Sequence, residues 1–489
     1  MLWVALHLPE LSREVVDRGL LPDLPLAVSD GSAHRPFVLA ANRAARAAGV
    51  RPGMSAAAAR ALAGGLVVVA RDTARERAAL EQLAAWAGQY TPAVVCERDA
   101  VLLEVQGSLR LFGGLARLGA LLRGGVAALG YRVALGVAPV PLAAWLLARA
   151  GCERTGVRAC REIAGLPARL GALPLALFDW PRQTLDALAT LGIARIGEAR
   201  ALPRDGFRRR FGAQPLADLD RAHACAPDPR PYFEPPARYA ARFDLPWEIA
   251  EAPRLLPPLE RLLAGLEGWL RARGAGSERI ALVLEHGRSL TTRLEIGARQ
   301  PERARARWAA LARERLARLT MPAAASALSI AVDAPLPYAE RNASLLPDAA
   351  EHAQSWRELL ERLAARFAGQ PGALFGIAVH DDHRPERAWR AAPAPAGGAP
   401  ARASTGAVLR PRPVWLLERP RLLVHIGGEP QYQGPLALLA GPERIEAGWW
   451  DGAPVARDYY MARNRAGETC WIYREPRDPG RWYLHGLYA

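Results

Sequence analysis

The chain has 489 residues, 51% of them apolar, a mean hydropathy of −0.04 and a formal charge of +15. That length allows about three or four domains with cores of their own, and no apolar run approaches the roughly 18 residues of a membrane-spanning helix. Cys96, Cys152, Cys160, Cys225 and Cys470 form no C-x-x-C pair, which disfavours a disulfide framework and a zinc site and makes a reducing cytoplasm the expected setting.

The N-terminus reads as a strand rather than as a secretory leader, since no basic region precedes an apolar core. All 64 basic residues are arginine. A GC-rich composition explains arginine in place of lysine but not the charge excess, which points to a polyanionic partner, nucleic acid before others.

In chain order, residues 1–160 alternate short apolar strands (2–8, 66–70, 93–96, 101–105, 132–137) with helical patterns (73–88, 115–129, 142–150), a mixed α/β domain. Residues 161–232 read as all-helical. Within them "LATLGIARIGEARALP" (188–203) has the form helix, glycine turn, helix, with Gly192 and Gly197 expected to free backbone amides for a phosphate. "FRRRFG" (207–212) adds Arg208, Arg209 and Arg210. Residues 233–340 give the order β-α-β-β-α-β, a split βαβ unit whose sheet could present a basic face to a duplex. The segment 341–390 holds a short extended stretch and a helix expected to start at a Ser355/Glu358 capping box and end at Gly369. Residues 391–410 are low-complexity and read as a flexible linker. Residues 411–489 are rich in aromatics, a small β-rich module rather than a tail.

For chemistry, a two-metal phosphoryl-transfer site needs several carboxylates at adjacent strand ends. The turn "CERDAVLLEV" (96–105) offers Glu97, Asp99 and Glu104, while the first strand offers His7 and Pro9 instead of an acid. "HDDH" (380–383) reads as a polar loop. "AANRAARAAGVRPGM" (40–54) sets Arg43 and Arg46 on one helical face, either a phosphate cradle or a solvated face. "LPLALF" (173–178) reads as core packing. No P-loop, G-x-S-x-G or G-x-G-x-x-G is present.

These pieces resemble the Y-family translesion DNA polymerases. "AANRAARAAGVRPGM" is similar to their fingers motif, the helix-hairpin-helix to their thumb, and the β-α-β-β-α-β unit to their little finger. More narrowly, "ALHLP" (5–9), "GSLRLFGG" (107–114), "LGVAPVPLAAWLLAR" (135–149), "DDHRPERAW" (381–389), "GPERIEAGWWDG" (441–452), "RDYYMA" (457–462), "WIYRE" (471–475) and "WYLHGLYA" (482–489) resemble a catalytically defective bacterial branch of that family. The resemblance implies a palm with fingers (1–160), a thumb (161–232), a little finger (233–340) and a C-terminal interaction module.

It also implies that the family's first-strand metal-binding Asp falls at His7 and its later Asp-Glu pair at or within one residue of Asp99 and Ala100. The fingers Tyr becomes Arg43 and its Arg partner is Arg46. The triphosphate-holding palm Lys has no counterpart among Pro139, Pro141 and Trp145. No cofactor or bound metal is then expected, because one retained acid cannot hold two Mg²⁺ ions.

By resemblance the partners are primer–template DNA, a sliding clamp, a RecA-like protein of the ImuA type and an error-prone DnaE-type polymerase, in damage-induced mutagenesis. A degenerate clamp peptide falls at Asn342, Ser344, Leu345 and Leu346. Trp449, Trp450, Tyr459, Tyr460, Trp471 and Trp482 are the candidate partner contacts. Two alternatives stand beside this adaptor: a distributive polymerase using Asp99, Glu97 and Glu104, and a general DNA-binding repair protein.

Overall fold

The computed structural model describes all residues except 19–22, 33, 152–157, 288, 340–348, 369, 371, 393–410 and 489. The chain forms two compact units, Met1–Ser344 and Leu345–Ala489. No described helix is long and apolar enough to cross a membrane.

The first unit is built on a five-stranded sheet ordered Val94–Cys96, Ala100–Glu104, Trp3–His7, Ala134–Ala138, Arg158–Ala159. Trp3–His7 lies at its centre, antiparallel to both neighbours, and all five of its residues are buried, which is why it reads as an unbroken apolar run. One face carries Val4, Leu6, Val101 and Leu103 against the helices Thr73–Ala87 and Leu115–Ala128. The other carries Trp3, Ala5, Ala100 and Leu102 against the helix Pro141–Ala150. That helix lies directly on the sheet, since a Cβ on Gly136 would stand 2.1 Å from the Ala144 carbonyl oxygen.

Two fingers strands, Leu26–Ser29 and Val38–Ala41, were not foreseen from sequence; they pair with each other, and Leu26–Ser29 also pairs in parallel with Val67–Ala70. Asn42 organises this small sheet. Its Oδ1 accepts from Leu26 N (3.1 Å) and Ala45 N (2.9 Å), and its Nδ2 donates to the Leu24 carbonyl (2.6 Å).

Five short helices from Leu166 to Ala222 make the thumb. Its apolar residues, with Leu173, Leu175 and Phe178 of "LPLALF" among them, join the Pro141–Ala150 helix in one core. The little finger has the expected order, with strands Tyr239–Ile249, Ala275–His286, Leu290–Glu302 and Ala325–Val332 and helices Leu256–Ala272 and Arg305–Leu316. Helix Leu256–Ala272 packs on the palm helix Thr73–Ala87 so closely that a Cβ on Gly268 would meet the Trp86 ring at 2.2 Å.

In the second unit the helix spans Ala349–Arg366, so Ser355 is an interior residue and not the cap. A hairpin pairs Gly376–Val379 with Trp389–Ala392, which puts Ala391 and Ala392 of the expected linker in a strand. The remaining linker residues lie outside the described residues. A five-stranded antiparallel sheet follows in the order Trp415–Leu422, Asp478–Leu487, Thr469–Glu475, Val455–Arg463, Ala437–Ala447.

Candidate functional site

The register of the central strand brings His7 opposite Ala100 at one end of the sheet, the two positions that the resemblance assigns to lost metal ligands. Asp99 is an acid in contact with His7, and both of its carboxylate oxygens are engaged. His7 Nδ1 lies 3.2 Å from its carbonyl oxygen and 3.4 Å from Oδ2, and the Trp145 indole donates to Oδ1 at 2.8 Å. Arg149 Nε stands 3.7 Å from Oδ2. Burial pushes the Asp99 carboxyl up, but His7, Trp145 and Arg149 outweigh it and hold the group below its ordinary range.

Glu97, Asp99 and Glu104 do not converge. Glu97 pairs with Arg230. Glu104 pairs in register with Trp3 at the other end of the strand, about 14 Å away at strand spacing, where its Oε1 accepts from Leu2 N (3.0 Å) and Gln106 N (3.2 Å). The altered-geometry polymerase site therefore loses one of its three acids to distance. Among the described residues no three His, Cys, Asp or Glu side chains cluster as metal ligands, and the donors at His7, Asp99 and Ala100 do not fit a two-Mg²⁺ site.

The fingers arginines differ from one another. Arg43 is exposed and shows no carboxylate partner among the described residues, whereas Arg46 reaches Glu10 at 3.3 Å. Glu10 also binds Arg13 and faces Arg132 at 3.6 Å, and these three arginines override burial to lower its pKa. Arg51 turns back to donate to the Arg46 carbonyl at 2.7 Å.

In the thumb, Gly192 is at the turn with φ +79°, as the hairpin requires. Gly197 is not at the turn. It lies inside the helix Ile196–Arg200, where a Cβ would stand 3.1 Å from the Gly171 backbone, so it is glycine to let two helices touch. The turn's amides are already satisfied. Those of Gly192 and Ile193 donate to Ala189 and Leu188 carbonyls, and those of Ala194 and Arg195 both donate to Glu198 Oε2 at 2.9 Å. Sequence reasoning missed Glu198, although a capping-box spacing from Arg195 marks it. Arg208, Arg209 and Arg210 are exposed on the next helix, Arg204–Phe211, and show no carboxylate partner among the described residues.

On the open face of the little-finger sheet acids match part of the basic charge, and Arg293, opposite Val283, is exposed on the same face. Arg242 pairs with Glu285 and Asp244, and Arg279 with Glu295 at 3.3 Å.

In the second unit the six candidate aromatics separate. Trp449 (79% exposed) and Trp450 (52%) meet edge to face on an exposed turn. Tyr459, Tyr460, Trp471 and Trp482 are core residues, at most 8% exposed, and cannot serve as direct partner contacts. The turn is held by Arg384, whose side chain is buried between Asp382 (2.7 Å) and Asp451 (2.5 Å). "HDDH" thus enters an ion-pair knot with "GWWDG" instead of forming a free polar loop.

Beneath the sheet, the Tyr459 hydroxyl lies 2.8 Å from His485 Nδ1, and Arg457 links Glu386 (2.9 Å) to Tyr459 (3.2 Å). Burial drops the His485 pKa to about 4. Asn342, Ser344, Leu345 and Leu346 lie outside the described residues.

The model of the impB/mucB/samB (IMS) family matches residues 11–149. "Protein ImuB" of two Caulobacter vibrioides strains is 30% identical over 469 residues, covering 90% of this chain and all of the relative. Among solved structures, DinB from Sulfolobus solfataricus is similar at 18% identity, covering 69% of this chain and 99% of its own, with a TM-score of 0.40. A Dbh–Dpo4 polymerase chimera is similar at 17% identity and the same TM-score, covering 69% of this chain and all of its own. With identity carried across nearly the full length of both chains, this protein belongs to the ImuB family of Y-family polymerase-like proteins.

Proposed function

We infer that the protein is a non-catalytic adaptor of damage-induced mutagenic translesion synthesis. On this reading it binds primer–template DNA and joins a sliding clamp, an ImuA-type RecA-like protein and an error-prone DnaE-type polymerase in the cytoplasm. The observation that carries the reading is the fate of the metal positions: His7 faces Ala100, and Asp99 is spent on Trp145, His7 and Arg149. Two hydrated Mg²⁺ ions need several convergent carboxylate oxygens, and these residues do not offer them.

DNA affinity is assigned to the thumb arginines Arg208–Arg210 and to Arg43, which are exposed and have no carboxylate partner among the described residues. Trp449 and Trp450 are assigned to a protein partner, and the peptide Asn342, Ser344, Leu345, Leu346 to the clamp.

Primer extension with Mg²⁺ or Mn²⁺ tests the central claim. No template-dependent incorporation is expected, and incorporation abolished by Asp99→Ala would refute it. Affinity for primer–template should fall steeply with salt, and a flat response would count against DNA binding through phosphates. Co-purification of a clamp and a DnaE-type polymerase, lost on deleting 405–489, separates the adaptor from a general DNA-binding protein.

A further inference from the structure

We propose that the acids remaining in the degenerate catalytic turn act as a latch that fixes the thumb against the palm, with Arg149 and Arg230 as its positioning residues. The turn 97–99 grips the thumb at both ends. At the entry, Asp99 holds Trp145 and faces Arg149, which stacks on the Trp145 ring at 4.5 Å. Arg149 then donates to the Leu177 carbonyl and to Asp179 Oδ1, both at 2.8 Å. At the exit, Glu97 binds Arg230, whose Nε donates to Asp228 at 2.8 Å, and Asp228 accepts from Leu142 N at 3.1 Å. Three residues on, Phe233 N donates to the Val94 carbonyl at 2.7 Å, laying the tether that leads to the little finger along the edge of the palm sheet.

The apolar core shared by palm and thumb supplies adhesion, but such contact is non-directional. It is also incomplete here. A cavity of about 750 Å³ separates the two, and Glu97, Trp145, Asp179, Asp228 and Arg230 line it. Charge-assisted hydrogen bonds across that gap set an angle as well as a distance. Glu97 and Arg149 are each about three-quarters hidden from solvent, so the network is more than a set of surface ion pairs. The thumb is thereby oriented by carboxylates that need no metal and no nucleotide. The latch rests on the proposed DNA-binding reading only for its use, not for its existence.

Amide hydrogen exchange on the full chain reads the latch directly. Glu97→Gln with Asp99→Asn should speed exchange across 166–222 by about tenfold or more, the scale of losing charged hydrogen bonds, while strands 239–332 keep their protection. The charge swap Glu97→Arg with Arg230→Glu should slow thumb exchange relative to Arg230→Glu alone, though not back to the wild-type rate, because the bond from position 230 to Asp228 is not restored. Unchanged exchange in the double acid variant, or a swap no better than Arg230→Glu, would overturn the latch.

DNA binding gives the second reading. Removing two negative charges from a DNA-facing cleft should tighten binding if the acids are mere remnants. A latch predicts weaker binding, by the same factor at every salt concentration, because neither acid touches a phosphate. Faster exchange with unchanged or tighter binding would refute its role in the grip. If wild-type protein binds no primer–template, the proposed function fails and the exchange result still decides the latch.

Discussion

The two units divide the chain's chemistry unequally. Residues 1–344 carry 46 arginines against 33 carboxylates, whereas residues 345–489 carry 18 against 16. Each holds seven tryptophans, although the second is less than half as long. The charge that suggested a polyanion therefore belongs to the first unit, and the aromatic density to the second. The second unit buries Tyr459, Tyr460, Trp471, Tyr473 and Trp482 in its own core and leaves Trp356, Trp389, Trp415, Trp449 and Trp450 exposed. Phosphate attraction is long-ranged and tolerant of geometry; aromatic docking needs a rigid anchor, which Arg384 supplies.

This division can be broken at its cores first. Gly136→Val forces a side chain into the Ala144–Ala148 backbone and should cost the first unit about 3 kcal/mol or more, leaving the melting of the second unchanged. Trp471→Ala, in the opposite direction, should cost the second unit about 3–5 kcal/mol and leave DNA binding intact. Two-transition thermal melting followed by tryptophan fluorescence checks both.

Titration should pull the two apart in opposite senses. Burial raises Glu14 to about 7, so the folded first unit binds a proton that the unfolded chain releases near 4.5, and stability falls as pH rises between these values. His485, lowered to about 4, is the reverse: the unfolded chain takes up its proton near 6.5, and the second unit loses stability as pH falls towards 4. Each effect is bounded at about 3 kcal/mol, and Glu14→Gln or His485→Gln should flatten the corresponding slope in denaturant titrations at several pH values.

The smaller effects sharpen the comparison. Arg208, Arg209 and Arg210 replaced together by alanine should cut the salt slope of DNA binding by about 2–3, and deleting 345–489 should leave that slope as it was. Trp449→Ala should change stability by less than about 0.5 kcal/mol while abolishing capture of the partner.

Where a residue's environment follows from its neighbours in sequence, the reading succeeded. The first strand and the split βαβ unit announce themselves by apolar runs and alternation. The fingers strands "LAVS" and "VLAA" did not, because alanine favours neither period and Asn42 ties them together from outside. A packing glycine such as Gly197 looks the same on paper as a turn glycine such as Gly192. Aromatic density marked the C-terminal module but not which rings face inward. His7 and Ala100 were singled out only through the resemblance, and the strand register shows that they stand opposite one another. The uses found for Glu97 and Asp99 were not, since Arg230 and Arg149 lie far along the chain from them.

Glu198 in the thumb hairpin has a further consequence. A carboxylate oxygen sits on the two amides that a phosphate oxygen would seek, so the hairpin carries its own resident counter-ion. Any nucleic-acid phosphate arriving there competes with a tethered rival that never diffuses away. On the proposed DNA-binding role, the turn then contributes little to resting affinity, and the arginines on the following helix become the first point of purchase. A polymerase that must hold its primer end through a chemical step has reason to keep those amides vacant, whereas a chain that only assembles others can let its grip be soft and quickly exchanged.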